Sequence, residues 1–277
     1  MYSYTIEQWL LFFYCYCFLG WCIESSIVSF SQKRWVNRGF VHGPMLPIYG
    51  SGAIMVLVCT LPVKNHIALV YVFGMLGATV LEYITGVLME KLLKVRYWDY
   101  SKQFMNLNGH ICLKSSLFWG VLSVFMTYVV HEPIETLILS IPRTIAFGIT
   151  SLITVVFGVD LYYSAKAAIN FAMWLQKVQA IRNELELLAE QFKEEKVENF
   201  KERSSEMKAE LTVRIKHLQL EKNELLKKIG VERNRLVSHY PSAVSTSFKG
   251  VLEEVKSTIE DKLRERTYKK EKEHEKS

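Results

Sequence analysis

The stretch ITSLITVVFGVDLYYSAKAAINFAMWLQKVQAIRNELELL, Ile149 to Leu188, begins as an almost uninterrupted apolar run and ends in a charged sequence with a regular apolar stripe. No proline lies between Pro142 and Pro241, and Gly158 is the only glycine between Gly148 and Gly230. Nothing local therefore stops a helix that starts as a buried hydrophobic rod and leaves as an amphipathic one. The change of character divides the chain. From Ser164 onward lie 24 of the 34 Lys and Arg and 20 of the 28 Asp and Glu, leaving the first 163 residues with 10 basic and 8 acidic side chains.

A bilayer core of about 30 Å takes roughly 20 apolar helical residues. Five stretches come close to that length: Trp9 to Phe30, Met45 to Leu61, Ile67 to Met89, Ser115 to Val130 and Ile141 to Tyr163. Five such runs leave almost no polar chain for a wet surface, which sets aside a large soluble protein with buried helices. The expected fold is all-α: a polytopic membrane helix bundle of about five transmembrane helices over residues 1–163, in contact with the lipid bilayer. A long cytoplasmic coiled-coil tail over 164–236 follows it, then a short amphipathic helix and a charged end over 237–277.

Met1 to Gln8 carries no Lys or Arg and the run after it lacks a small-x-small exit, so the first span is expected to stay rather than be cleaved. The five cysteines include no C-x-x-C pair and fall mostly inside spans, so no disulfide, zinc site or other metal is expected. Basic residues set orientation. The loops after spans one and three hold Lys33, Arg34, Arg38, Lys91, Lys94, Arg96, Lys102 and Lys114, whereas the alternate loops hold Lys64 and Arg143. The bias predicts a cell-membrane protein with the N-terminus outside and the C-terminal tail cytoplasmic.

In that frame Glu24 and Glu82 lie about 9 and 12 Å above the inner ends of their spans, taking 1.5 Å per residue. An ionisable group at such depth needs protein, water or a partner around it, and is by default a functional-site candidate. For Glu24 the competing reading is a structural ion pair with Arg38. Asp160, near the inner end of span five, reads as a solvated interfacial carboxylate. In span three Thr79, Glu82, Gly86 and Glu90 recur at three and four residues and share one polar face, beside the small residues Gly74, Gly77 and Ala78.

The first inner loop, RGFVHGPMLPIYGSG from Arg38 to Gly52, concentrates glycine and proline before span two. A tight loop with a proline-initiated helix is the simpler expectation; a segment that dips in beneath Glu24 and Glu82 is the other. The second runs from Tyr97 to Gly120 as YWDYSKQFMNLNGHICLKSSLFWG. Its Tyr97, Trp98 and Tyr100 suit a membrane interface, and Asp99 and Ser101 suit a turn or cap.

Taken in order, GWCIE, NRGFVHGPMLPIYG, LEYITGVLME, WDYS and NLNGHICLKSSLFWG resemble the bacterial CmpB-type family of ABC-transporter permeases over about Leu11 to Gly120. His110 stands where the family pattern has arginine, and Lys114 where an acid is commoner. The resemblance implies a permease-like component with a cytoplasm-facing polar cavity. The residues it and the burial argument offer as cavity or ligand candidates are Glu24, Arg38, His42, Tyr49, Glu82, Glu90, Trp98, Asp99, Asn106 and His110. No G-x-x-x-x-G-K-[ST] loop occurs, so transport would draw on a separate ATPase subunit. An intramembrane enzyme using His42, Asp99 or His110 finds no H-E-x-x-H, paired aspartate or G-x-S-x-G signature, so no enzyme activity, catalytic residue or cofactor is expected.

In the tail, Ala167, Phe171, Trp174, Val178, Ile181, Leu185, Leu188 and Phe192 alternate steps of four and three, the a/d seam of a coiled coil. Leu211, Ile215, Leu218, Leu225 and Ile229 resume the spacing out of register, with a stutter or antiparallel fold-back across Lys193 to Glu206. The expected partner is a second copy in a parallel homo-oligomer, with an intrachain hairpin as the alternative. Phe248, Leu252, Val255, Ile259 and Leu263 mark the short helix, and Thr267 to Ser277 is expected to be disordered. Interleaved charge gives no basic surface for nucleic acid. A membrane-anchored coiled-coil scaffold or signalling protein is the alternative to transport.

Overall fold

The computed structural model describes residues 4–33, 35–194, 203–227, 245, 248 and 250–257, and these are helical or irregular, with no strand among them. Helix α1 is Ile6–Gln32, α2 Pro47–Thr60 with a 3₁₀ turn over Leu61–Val63, and α3 Ile67–Leu93. A rod from Leu113 to Leu139 follows, made of α4 (Leu113–Phe125), a π-helical turn (Met126–Val130) and α5 (His131–Leu139). Helix α6 is Arg143–Glu194 and α7 is Arg203–Lys227. The chain forms two compact units, the first made of residues 1–92, 96–167 and 238–243, the second of 93–95, 168–237 and 244–277.

Among the described residues four helices are long and apolar enough to cross a membrane: α1, α3, the rod Leu113–Leu139, and α6. Expected span two is the exception. Helix α2 and its 3₁₀ turn have 17 residues, or about 27 Å at 1.5 and 2.0 Å per residue, short of a full crossing. Expected span four is longer than its apolar run, because the helix continues past Val130 to Leu139 where a loop was expected.

The bundle is apolar outward. On α3 Leu76, Val80, Ile84 and Leu88 are all more than half exposed, while Gly74, Ala78, Glu82 and Gly86, each two residues away, are buried. A polar-in, apolar-out helix has lipid, not water, as its solvent. The expected face is thus turned slightly: it runs through Gly74, Ala78, Glu82 and Gly86 rather than through Thr79, which is only half-buried. The core at the opposite end from the basic loops joins Leu11, Phe12 and Tyr16 of α1, Ala53 and Leu57 of α2, Leu61, Ile138 of α5 and Ala146 of α6.

Short side chains set the α1–α2 seam. A Cβ on Gly20 would overlap the ring of Tyr49, and one on Gly50 would overlap Cys17 Sγ and the backbone of Phe13. Thr5 caps α1 reciprocally, its N–H donating to Gln8 Oε1 at 2.8 Å and its Oγ1 accepting from Gln8 N at 3.4 Å. At the other end Lys33, in the left-handed region at φ 52°, closes the helix.

In the second unit α6 and α7 are bridged by Arg214 and Glu184 at 2.7 Å, ten residues before the end of α6 and eleven after the start of α7, an antiparallel pairing. A short helix over 250–257 joins them, with Lys222 to Glu254 at 2.8 Å and Gly250 against Arg182. The apolar stripe is buried as predicted at Phe171, Trp174, Val178 and Leu188, but so are Ala168, Ala172 and Leu175 beside it. That width exceeds a two-helix seam, and Leu218, Leu226, Val251, Leu252 and Val255 of the same compact unit are buried as well. Within one chain the described residues of the tail thus include contacts of the fold-back kind that was the alternative to a second copy, and residues 250–257 contribute to the same compact unit. Ile229, Ile259, Leu263, Thr267 to Ser277 and the side chain of Phe192 lie outside the described residues.

Candidate functional site

The polar residues of the first unit gather where α1 ends, α2 and α4 begin, and α3 ends. Helix α2 starts at Pro47, the proline-initiated helix of the simpler expectation, but the segment before it is no tight loop: it packs along α1. Val36 N donates to Ser29 Oγ (2.8 Å), Arg38 N to Ser25 Oγ (3.1 Å) and Leu46 N to the carbonyl of Cys17 (3.0 Å). The chain thus climbs beside the second half of α1, and Cys17 lies about 22 Å from the end of that helix at 1.5 Å per residue. Val36, Val41 and Leu46 are buried. Irregular backbone at such depth survives because protein donors and acceptors replace water.

Asp160 completes this arrangement. It does not stand as a solvated interfacial carboxylate: its Oδ1 accepts from His42 N at 3.0 Å and its Oδ2 from Gly43 N at 2.8 Å. His42 Nδ1 lies 2.8 Å from Asp160 Oδ1, and Ser164 Oγ lies 3.1 Å from the same nitrogen and 3.2 Å from the carboxylate. A serine, histidine and aspartate meet here, but one imidazole nitrogen faces both oxygens. A nucleophile relay needs the serine on the far nitrogen, so the trio ties α6 to the loop.

Glu24 sits where the segment passes Arg38, whose Nε is 3.4 Å from Oε2, and Tyr49 donates to Oε1 at 2.8 Å. It has the structural partner that the sequence offered. Trp21 Nε1 and Gly39 N both donate to Asn37 Oδ1, at 2.7 and 2.8 Å, fixing the turn beside it.

Glu82 is different. Buried in the second half of α3, it accepts from Trp119 Nε1 at 3.0 Å and Ser115 Oγ at 3.3 Å on one oxygen, and from Tyr100 Oη at 3.2 Å on the other. All three donors are neutral. They come from the loop Lys94–Cys112 and the first turns of α4, which Cys112 caps by accepting from Ser115 N. Burial, and then the nearby Glu82 carboxylate, push the Tyr100 phenol well above its ordinary pKa.

Just beyond, Glu90 takes Arg96 Nε at 2.8 Å on one oxygen and His110 Nε2 at 3.2 Å on the other. Arg96 also reaches Asp99 at 3.7 Å. Burial works against the Asp99 charge, but the side-chain and backbone donors of Ser101, with Arg96, outweigh it and hold the carboxyl below its usual range. Trp98 Nε1 donates to the His110 carbonyl at 2.9 Å, and Asn106 donates to the carbonyls of Ser101 and Gln103 while accepting from Gly109 N at 3.2 Å. Gly109 has φ 74°, and a Cβ there would crowd Ser101, Arg96 and Asp99. His110, standing where the family pattern has arginine, packs against Gly86, where a Cβ would come within 2.9 Å of its Nδ1.

This arrangement of motifs has a match. The family model described as "Putative ABC-transporter type IV" covers residues 11–165. The chain belongs to that family. No curated protein and no solved structure matches it. The family region takes in the bundle from Leu11 through Asp160 and Ser164, and leaves the hairpin and the 250–257 helix outside it.

The ten candidate residues do not form one chamber. They fall into a loop-pinning set (Glu24, Arg38, Tyr49, with His42 on Asp160), the Glu82 set, and a loop-folding set (Glu90, Trp98, Asp99, Asn106, His110), and the donors that reach Glu24 and Glu82 are different residues. Sequence reasoning passed over Tyr100, Ser115 and Trp119 as partners of Glu82, though all three stood within the quoted motifs. It also passed over His131, which lies just past the expected end of span four at Val130. Among the described residues no group of His, Cys, Asp and Glu is arranged to hold a metal.

Proposed function

We propose that this member of the family is a permease-like membrane component whose working group is Glu82, with ATP hydrolysis supplied by a separate subunit. The observation that carries the reading is the partnership of that carboxylate: buried within a membrane-crossing helix, with three neutral donors and no cation at hydrogen-bonding distance. A charge so placed is costly unless it exchanges a proton or meets a cationic ligand, and a purely structural acid would be expected to have a counter-ion, as Glu24 does. The protein acts in the cell membrane with its N-terminus outside and its tail in the cytoplasm, and it does so by binding and exchange rather than by covalent catalysis.

The test is complementation of a deletion strain. Glu82→Gln should lose about tenfold or more in function while its membrane level stays near that of the parent chain. Co-purification of an ATPase subunit with the parent chain supports the partner. A thiol introduced by Ser140→Cys, in a background free of native cysteines, should react with impermeant reagent added outside, and one introduced by Ser257→Cys only after lysis. Full function in Glu82→Gln removes the reading.

The alternative, a membrane-anchored scaffold, draws on the tail. Its hairpin is a compact unit outside the family region, and exposed Leu187, Val213 and Leu220 give it an apolar surface after the main stripe is covered. A homo-oligomer through the tail would use that surface rather than the a/d stripe. Truncation after Ser164 that abolishes function, with Glu82→Gln harmless, selects the scaffold.

A further inference from the structure

The rod Leu113–Leu139 carries a second pattern. Ser115, Trp119, Ser123, Thr127, His131 and Glu135 follow one another at intervals of four. Ser123, Thr127 and His131 are fully buried or nearly so, at 1, 0 and 0 % exposure, and the other three are half-buried. Twenty residues of helix at 1.5 Å each make about 30 Å, the thickness of the hydrocarbon core. The polar row therefore runs the height of the span.

A strict interval of four does not stay on one face of an α-helix, because each step overshoots a turn by about 40°. The π-helical turn at Met126–Val130 takes more residues per turn and brings the row back. Pro133, three residues on, supplies no N–H to the ladder where it widens. The turn is thus placed where it keeps Thr127 and His131 in line with Ser123.

Each rung has a partner on another element. Trp119 and Ser115 hold Glu82; Ser123 faces Gly74 of α3, whose missing side chain leaves room for its hydroxyl and for Thr60. Thr127 and Thr60 share a hydrogen bond of 3.0 Å. His131 has Tyr16 Oη 2.9 Å from Nδ1 and Tyr4 Oη 3.3 Å from Nε2, and Tyr4 donates to Glu135. The ion pair Lys64–Glu132 lies beside it. Proton counting fixes the direction of this last group. The Tyr4 hydrogen goes to Glu135, so Tyr4 accepts from His131 Nε2–H, and Nδ1 then accepts from Tyr16. It is a one-way chain of hydrogen bonds ending on a carboxylate.

Packing explains part of the row: serine and threonine are common where membrane helices meet, and Ser123 also donates to the Trp119 carbonyl at 2.8 Å. It does not explain a buried histidine in line with them, nor a carboxylate at each end. We infer that this row is a transmembrane proton path, with Glu82 and Glu135 as its terminal acceptors and His131 as the group that takes a proton on one nitrogen and releases one from the other. One proton enters at one carboxylate as one leaves at the other, so charge and atoms balance. Adjacent rungs stand about 6 Å apart, a distance that one water hydrogen-bonded to both sides spans; the Trp119 indole only donates, so between Ser123 and Glu82 the proton passes it on water by way of the Ser115 hydroxyl. The inference rests on the Glu82 reading and extends it by naming what Glu82 exchanges.

The experiment uses the full chain without native cysteines, reconstituted in vesicles. Thiols placed by Ser123→Cys and Thr127→Cys should react with a water-soluble methanethiosulfonate about tenfold faster than those placed by Val121→Cys and Phe125→Cys on the lipid face, since only a hydrated thiol ionises and reacts. A pH dye trapped inside should report proton entry under an imposed gradient, reduced about tenfold by His131→Gln or Thr127→Val, with gel filtration confirming folded protein. Ladder thiols no faster than the lipid-facing ones, or accessible thiols without dye response, overturn the path. Silent ladder thiols together with a defective Glu82→Gln leave the proposed function standing without this path. Reactive ladder thiols with a functional Glu82→Gln overturn both the Glu82 reading and Glu82 as the end of the path.

Discussion

Glu24 and Glu82 occupy equivalent-looking places, each an acid in the second half of a long apolar helix, yet they are solved in opposite ways. Glu24 meets a guanidinium and a phenol on a loop that climbs beside its own helix. Glu82 meets an indole, a hydroxyl and a phenol. The first arrangement is satisfied by fixing charge against charge and holds a segment in place. The second surrounds the carboxylate with neutral donors only, and the proposed exchange of a proton or cation at Glu82 rests on that contrast. Depth in the membrane alone did not separate them; the identity of the partner did.

The comparison breaks most visibly at Arg38. Arg38→Gln leaves Glu24 with Tyr49 alone, and should lower stability by about 1–3 kcal/mol, less than for a fully buried pair because Glu24 is partly exposed. Thermal unfolding in detergent measures it, and the double variant Glu24→Gln with Arg38→Gln should recover part of the loss. If the double variant is as damaged as the single, the pair is not what holds the loop.

Glu82→Gln should change stability by no more than about 1 kcal/mol in the same melt, because an amide of equal shape removes a charge that has no protein counter-ion while one of its hydrogen bonds is lost. A loss as large as that of Arg38→Gln would place Glu82 with Glu24 as a structural acid.

The smallest effect belongs to Asp99. Its carboxyl is held below the ordinary range in the folded chain, so its contribution is present above the unfolded-state pKa and is lost as pH falls through the folded one. The window lies in the acid range, below about pH 4. Between pH 5 and 8, where that contribution is fully present, Asp99→Asn should lower the melting temperature slightly, and the gap between variant and parent should close as pH falls below about 4. A gap that widens toward low pH would contradict the sign of the shift.

How far the sequence carried the structure can be followed along α6. Its unbroken run without proline, and the change from apolar to charged composition at Ser164, were enough to expect one continuous helix, and Arg143–Glu194 is that helix. Hydrophobic length likewise found α1, α3, the start of the Leu113 rod and α6, because a bilayer imposes a length and an apolar surface that composition records directly. It overcounted at α2, since an apolar segment preceded by a buried irregular one has the same composition as a full span. It stopped too soon at Val130, since Glu132 and Pro133 look like a loop until a π-helical turn absorbs them.

The tail shows the same boundary. The spacing of Phe171, Trp174, Val178 and Leu188 determined which face would be buried; it did not determine what would cover it. Ala168, Ala172 and Leu175 widen the stripe, and buried residues of α7 and of the 250–257 helix belong to the same compact unit. A periodic pattern specifies the direction of a helix face, which is a local property, whereas the choice between a second copy and a fold-back depends on connections and charges distant in sequence, such as Arg214 on Glu184.

What the sequence by itself determined is the helical class, the membrane partition, the family motifs and the two acids that membrane depth made conspicuous. Only the tertiary structure decided that Asp160 pins the His42–Gly43 backbone from 117 residues away, that Glu82 has neutral donors, and that His131 is buried in line with Thr127 and Ser123. The reason is physical. Apolar length and helical period are written in consecutive residues, but the donors that satisfy a buried charge come from whichever element packs against it, and that is settled only when the helices meet.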